Sequence, residues 1–210
     1  MPFSNERISK SSGIPAKAGV AADNRLRLFI SYSRKDIRLA EALVLALDNN
    51  NFQVTIDKRD MPYGEEFQRE LADFIRAADT VVWLLSPNSI ESKWCNWELG
   101  EVARLNKRLV ILRVQDVAID ELPEMLGKIH ILPGEGLFDV DRHLSELVVA
   151  LETNRSWLKE ATRLGERAHD WLIHDRDRNF LLRGLSLRNA ELWSSQQGQS
   201  ARRQLAISLS

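Results

Sequence analysis

The chain has 210 residues, with 29 Lys+Arg against 30 Asp+Glu, a net charge of -1, 44% hydrophobic residues and a single cysteine. That length suits one ordinary domain with a small appendage, and the balanced charge predicts no direct binding of nucleic acid. The lone Cys95 excludes an internal disulfide and a cysteine-rich metal cluster.

Residues 1 to 24 are rich in Ser, Gly, Ala, Lys and Asn without an apolar period. Such a segment buries too little surface to offset the entropy of ordering, so it is expected to be a disordered arm. From Arg25 onward, short apolar runs alternate with amphipathic stretches. The runs are LRLFIS (26 to 31), QVTID (53 to 57), TVVWLLS (80 to 86), RLVILRV (108 to 114) and a weaker KIHIL (128 to 132). Between them, apolar residues recur at helical spacing over 36 to 48, 66 to 77 and 93 to 105, and a further helix is predicted over 141 to 152. Continuous Val/Ile/Leu strands imply burial on both faces, and strand-helix-strand spacing forces parallel pairing through crossovers. The prediction is an α/β domain over 25 to 152, a five-stranded parallel sheet with helices on both faces.

Beyond about Asn154 the strands stop and the charge changes sign: residues 154 to 210 carry 10 Lys+Arg and 6 Asp+Glu. Trp157, Leu158, Ala161, Leu164, Ala168, Trp171 and Leu172 recur at helical spacing, and a second short helix from Ser186 would align Leu187, Ala190 and Trp193. A short helical extension is therefore expected over 153 to 195, followed by a flexible tail or linker over 196 to 210. No apolar run reaches the roughly 18 residues of a membrane span, and the N-terminus lacks a secretory apolar core. No membrane partner is expected, and the expected compartment is the cytoplasm.

In an open parallel sheet, ligands bind beyond the carboxyl ends of the strands. That rule selects Ser31, Tyr32, Ser33 and Arg34 after the first run, Asp57 and the loop KRDMPYGEEF after the second, and Ser86 to Ser89 after the third. Each residue alone is explained as well by capping and turn formation. The segment SKWCNWELGEV says more: with Ser92 as helix cap, Trp94 and Glu98 stand four residues apart on one helical face near that rim. The plain alternative is a buried Trp with a solvated Glu. Cys95 lies at the same helix start without a partner His, and reads as a small buried residue rather than a nucleophile.

There is no GxGxxG after the first strand and no GxxxxGK[ST], so a dinucleotide fingerprint and a P-loop are both excluded. His130, His143, His169 and His174 lack metal-ligand spacing, and no metal is expected.

FISYSRKD at the first strand, DKRDMPYGEEF after the second, VVWLLSPNSIESKWCNWEL through the third strand and next helix, and NKRLVILRV at the fourth together resemble a Toll/interleukin-1 receptor (TIR) domain of the bacterial kind. The resemblance covers about residues 25 to 152. It implies a flavodoxin-like fold and, in the cleaving members, hydrolysis of NAD+ between nicotinamide and ribose, to ADP-ribose or a cyclic isomer. NAD+ is then a substrate, and no cofactor is implied. Glu98 matches the essential acid, Trp94 the aromatic of the nicotinamide pocket, and Phe29, Ser31, Tyr32, Ser33, Arg34, Asp57 and Phe67 the remaining substrate-binding positions. The loop carrying Asp60, Met61, Pro62, Tyr63 and Gly64 resembles the one that gates the site and contacts a neighbouring protomer, although Tyr63 separates a Pro and a Gly that are often adjacent. The resemblance further implies self-association, a sensor module or partner protein acting through the C-terminal helices, and a part in antiviral defence. Other TIR domains only assemble signalling complexes, and a non-enzymatic adaptor is the alternative expectation.

Overall fold

The computed structural model describes residues 23 to 57, 65 to 118, 126, 129 and 131 to 207. The arm expected over 1 to 24, apart from Asp23 and Asn24, lies outside the described residues. So do Asp60, Met61, Pro62, Tyr63, Gly64 and His130.

Five parallel strands, β1 (Leu26–Ser31), β2 (Phe52–Ile56), β3 (Thr80–Leu85), β4 (Arg108–Arg113) and β5 (Ile131–Leu132), form one sheet in the order β2-β1-β3-β4-β5. This is the flavodoxin-like winding, with its reversal of strand order at β1 and β3. Seven α-helices are described: α1 (Ile37–Asn49), α2 (Glu65–Ala77), α3 (Pro87–Glu91), α4 (Lys93–Arg104), α5 (Val140–Glu152), α6 (Arg155–Ile173) and α7 (Gly184–Ile207).

Strand alternation sorts the side chains into layers. Leu26, Leu28 and Ile30 of β1 pack with Val82 and Leu84 of β3 against Leu43 and Leu47 of α1 and Leu147 and Leu151 of α5. Phe29 and Val81 point the other way, onto Leu71 and Ile75 of α2 and Val102 of α4. Trp83, Leu85 and Ile111 cover Cys95 and Leu99 of α4. Every residue of β3 is buried, as a central strand covered on both faces requires. Each fully buried Leu, Ile or Phe contributes roughly 1.5–3 kcal/mol.

Local chemistry sets the helix starts. Ser86 and Ser89 cap α3 reciprocally, with Pro87 in its first turn. The Ser92 hydroxyl accepts from the Cys95 amide at 3.3 Å and opens α4 where the sequence places it. Asp139 caps α5 through the Arg142 amide at 3.0 Å.

The extension begins as part of the domain body. Leu158 and Thr162 of α6 are buried, Lys159 donates to the Arg25 carbonyl at 2.7 Å, and Arg27 pairs with Glu166 at 2.9 Å. Trp157 of α6 stacks on Trp193 of α7 with ring centroids 5.3 Å apart. The second helix departs from expectation at both ends. It starts at Gly184 rather than Ser186 and runs to Ile207, through most of the segment expected to be a flexible tail. Its sequence has no proline and is rich in Gln, Arg, Ala and Leu. A helix once nucleated propagates through such residues, with only Gly198 costing about 1 kcal/mol.

Candidate active site

The carboxyl ends of β1 and β2, the start of α4 and one side of α2 enclose a cleft of about 230 Å³. Glu98 lies at its base, 7% exposed. The first two turns of α4 carry Trp94 and Glu98 on the face turned toward the sheet rim, and both line the cleft. Burial overturns the plain alternative of a solvated Glu.

The Ser31 hydroxyl, buried at the end of β1, donates a short hydrogen bond to Glu98 Oε2. Burial pushes the Glu98 carboxyl up to about 8, the Ser31 hydrogen bond pulls it back, and the Asp57 charge raises it further. No salt bridge to Glu98 occurs among the described residues.

Aromatic rings form one wall. Phe67 of α2 meets Trp94 edge to face at 5.2 Å, and Trp94 meets Trp97 at 6.2 Å. Such contacts hold the half-buried indole in place without closing the cleft. On the other side, the Tyr32 hydroxyl donates to the Asp57 carbonyl at 2.7 Å, and Arg34 lies 3.8 Å from the Asp57 carboxylate. These two contacts tie the loop after β1 to the end of β2.

Tyr32, Ser33, Arg34, Asp57, Phe67, Trp94 and Glu98 thus come together around one cleft, and Ser31 reaches it through Glu98. Phe29 does not line it. Phe29, 1% exposed, shares the face of Ser31 but lies two residues deeper along β1, in the layer beneath the cleft, where it stacks on Phe74 at 6.4 Å. Cys95 is buried, and burial pushes its thiol up to about 12, which fits an inert core residue.

Ile30 and Lys35 line the cleft as well, and three further features escape the sequence reading. Ser92 and Leu71 also line the cleft. Leu71 was findable, since it follows Phe67 by four residues on the same helical face. The third is Asp36, buried behind the rim. Its carboxylate accepts from Ser86 Oγ at 2.6 Å and Gln115 Nε2 at 3.0 Å, pinning the turn that carries Arg34 to the ends of β3 and β4. No local pattern signals it, because its partners are 50 and 79 residues away.

Residues 28–148 match the family model described as TIR domain. The chain belongs to the TIR domain family. Toll-like receptor 2 of Homo sapiens is 35% identical over 74 residues, 34% of this chain and 9% of the receptor. Toll-like receptor 6 of Mus musculus is 23% identical over 149 residues, 68% of this chain and 16% of the receptor. The matches to the first of these relatives span about a tenth of their length. Among solved structures, the TIR domain of the Toll-related receptor TRR-2 from Hydra magnipapillata shares 17% identity at a TM-score of 0.48, covering 60% of this chain and 97% of that one. The CMP N-glycosidase BcmB of Clostridium botulinum shares 14% identity at a TM-score of 0.44, covering 59% and 98%. No described helix is long and apolar enough to cross a membrane.

Proposed function

We propose that this TIR domain is an NAD+ nucleosidase of the bacterial kind that cleaves the bond between nicotinamide and ribose, releasing nicotinamide and ADP-ribose or a cyclic isomer. The observation that carries the proposal is Glu98, an acid buried at the base of a cleft beneath Trp94 with Ser31 as its hydrogen-bond partner. The bond joins ribose C1′ to a cationic pyridinium, so nicotinamide departs neutral and needs no proton. Positive charge instead develops on the ribose. A carboxylate close to the ribose hydroxyls stabilises that oxocarbenium-like transition state, as in glycosidases.

Glu98 is largely protonated in the empty cleft at neutral pH, with its carboxyl near 8. A bound pyridinium supplies the opposite charge that favours ionisation. Trp94 can stack on the nicotinamide ring, an attraction of about 0.5–2 kcal/mol for a cationic ring over indole. Arg34 at the cleft mouth suits the pyrophosphate.

The cleft is smaller than the roughly 300–1,000 Å³ of a typical small-molecule site. That supports completion of the site by self-association, through the loop between Asp57 and Phe67 that carries Asp60, Met61, Pro62, Tyr63 and Gly64. The C-terminal helices are the place for a sensor module or partner protein, and antiviral defence in the cytoplasm is the proposed setting.

The test is to incubate concentrated or clustered protein with NAD+ and follow nicotinamide. Turnover by wild type and its loss in Glu98→Ala is the expected result; undiminished turnover by Glu98→Ala removes Glu98 from the chemistry. The relatives named Toll-like receptors motivate a second reading, a non-enzymatic adaptor that docks TIR domains. Signalling or phage protection retained in Glu98→Ala but lost on changing Pro62 or Tyr63 would favour it.

A further inference from the structure

We propose that the same cleft also cleaves the N-glycosidic bond of nucleotides whose base is uncharged, with Glu98 acting as general acid. The inference rests on the nucleosidase reading above and adds a second substrate class to that site.

The geometry of the acid is the starting point. Glu98 Oε2 takes the Ser31 hydrogen bond, while Oε1 has no hydrogen-bond partner among the described residues. The residue lines the cleft, so this free oxygen belongs to a carboxyl open to a ligand. Among the described residues, the titratable and charged groups around it are Tyr32, Arg34 and Lys35 after β1, Asp57 after β2, and Cys95 on its own helix, and α2 lines the cleft with Phe67 and Leu71. Arg34 is engaged with Asp57 at 3.8 Å, and the Lys35 side chain is exposed. Burial without a cation paired to it leaves Glu98 carrying a proton, near 8.

A carboxyl that keeps its proton at neutral pH serves as a general acid, and two carboxyl groups with unlike surroundings divide acid and base roles. Cleaving a pyridinium riboside makes no use of that proton. A purine or pyrimidine riboside does, because its base would otherwise leave as an anion. In the proposed step the C1′–N bond breaks and its electron pair goes to the base. The Glu98 proton passes to the departing base, water oxygen bonds to C1′, and the proton lost by that water returns to the Glu98 carboxylate. One water is consumed, and free base and a ribose 5′-phosphate are formed. Trp94 stacks on a neutral ring as well as a charged one, and Arg34 and Lys35 at the mouth suit a 5′-phosphate.

The experiment uses the full chain at clustering concentration, with NAD+ and inosine 5′-monophosphate as parallel probes from pH 6 to 9.5, following nicotinamide and hypoxanthine. The expected kcat/KM for NAD+ rises with pH to a plateau above about 8, whereas that for inosine 5′-monophosphate is level below about 8 and falls about tenfold per pH unit above it. Glu98→Gln is expected to lose both activities. Cleavage of NAD+ without hypoxanthine release overturns the proposal and leaves the nucleosidase reading standing, and so do two pH profiles that rise in parallel. Hypoxanthine release without NAD+ cleavage supports the acid role and overturns the NAD+ reading. Cleavage of neither probe overturns both.

Discussion

Lys107 and Glu98 are desolvated ionisable groups at opposite ends of the sheet, each beside a cavity of similar size, yet they do opposite things there. At the amino end, Lys107 donates to the Arg76 carbonyl at 2.6 Å, the Ala78 carbonyl at 2.8 Å and Thr162 Oγ1 at 3.5 Å, next to a cavity of about 210 Å³. Burial lowers its ammonium to about 8, but every proton has a partner, and the group clamps α6 to the body. At the carboxyl end, Glu98 has one hydrogen-bond partner among the described residues, with its second oxygen unused by them, beside about 230 Å³ of open cleft. Cavity size does not separate Lys107 from Glu98; saturation of hydrogen-bonding capacity does. A titratable group whose capacity is spent is structural, as is Asp79 Oδ1, sealed from solvent at the Lys107 end without a hydrogen-bond partner among the described residues, whereas an open atom that faces a cleft is available for chemistry.

The largest effect that can break this comparison is at Glu98. Glu98→Gln is expected to lower NAD+ cleavage by at least about 10²–10³, the cost of removing a preorganised electrostatic partner of a transition state, while leaving the fold intact. The same variant tests the cost of burying the acid. The folded carboxyl sits near 8 against 4.5 in the unfolded chain. The unfolded state therefore releases its proton first, and wild-type stability falls as pH rises from 4.5 to 8. Glu98→Gln has no proton to release. Its stability advantage should grow over that window to about 5 kcal/mol at most and stay level above it. Thermal melts at pH 4.5, 6.5 and 8.5 check this, and a constant gap would mean that Glu98 is not buried as described.

Lys107→Met sharpens the other half. It strips the Arg76 carbonyl of the Lys107 donor, at about 1–3 kcal/mol for a group left unsatisfied, and leaves the Ala78 carbonyl only the Thr162 hydroxyl at 3.3 Å. Urea denaturation should show a loss of about 1–3 kcal/mol in all, with NAD+ cleavage per folded molecule unchanged. A large drop in specific activity would join the two ends functionally.

Smaller changes address the cleft walls. Trp94→Ala should raise KM for NAD+ about two- to thirty-fold, corresponding to the 0.5–2 kcal/mol of a cation over an aromatic face, with less effect on kcat. Ser31→Ala removes the hydrogen bond that holds the Glu98 carboxyl down. The rising limb of the NAD+ profile should move to higher pH, and kcat/KM at pH 7 should fall about three- to ten-fold. A fall without a displaced profile would make Ser31 a substrate contact instead.

Most of the fold was legible because its signals are local. Runs such as TVVWLL are apolar throughout since β3 is covered on both faces, and the crossover helices repeat at 3.6 residues. β5 was the weakest reading and is only Ile131–Leu132, since a strand paired on one side can be short. Trp94 and Glu98 were legible as a pair from their spacing of four on a helix whose start Ser92 announces. Phe29 shares the cleft's side of the sheet with Ser31 but lies a layer deeper, a depth that nearness to the rim along the chain does not reveal. Asp36 carries no local signal because its partners follow β3 and β4, far along the chain.

From its sequence alone this protein determined the parallel sheet, the helical face that joins an indole to a carboxyl, and membership of a recognisable family, because periodicity and capping act within a few residues. Tertiary structure decided that Glu98 is buried, that Ser31 at the end of β1 is its partner, that Phe29 lies below the site, and that α6 is held to the body by contacts that include Lys107. Desolvation and hydrogen bonding between distant segments exist only once the chain has closed on itself, and they set the protonation of Glu98, on which the proposed chemistry turns.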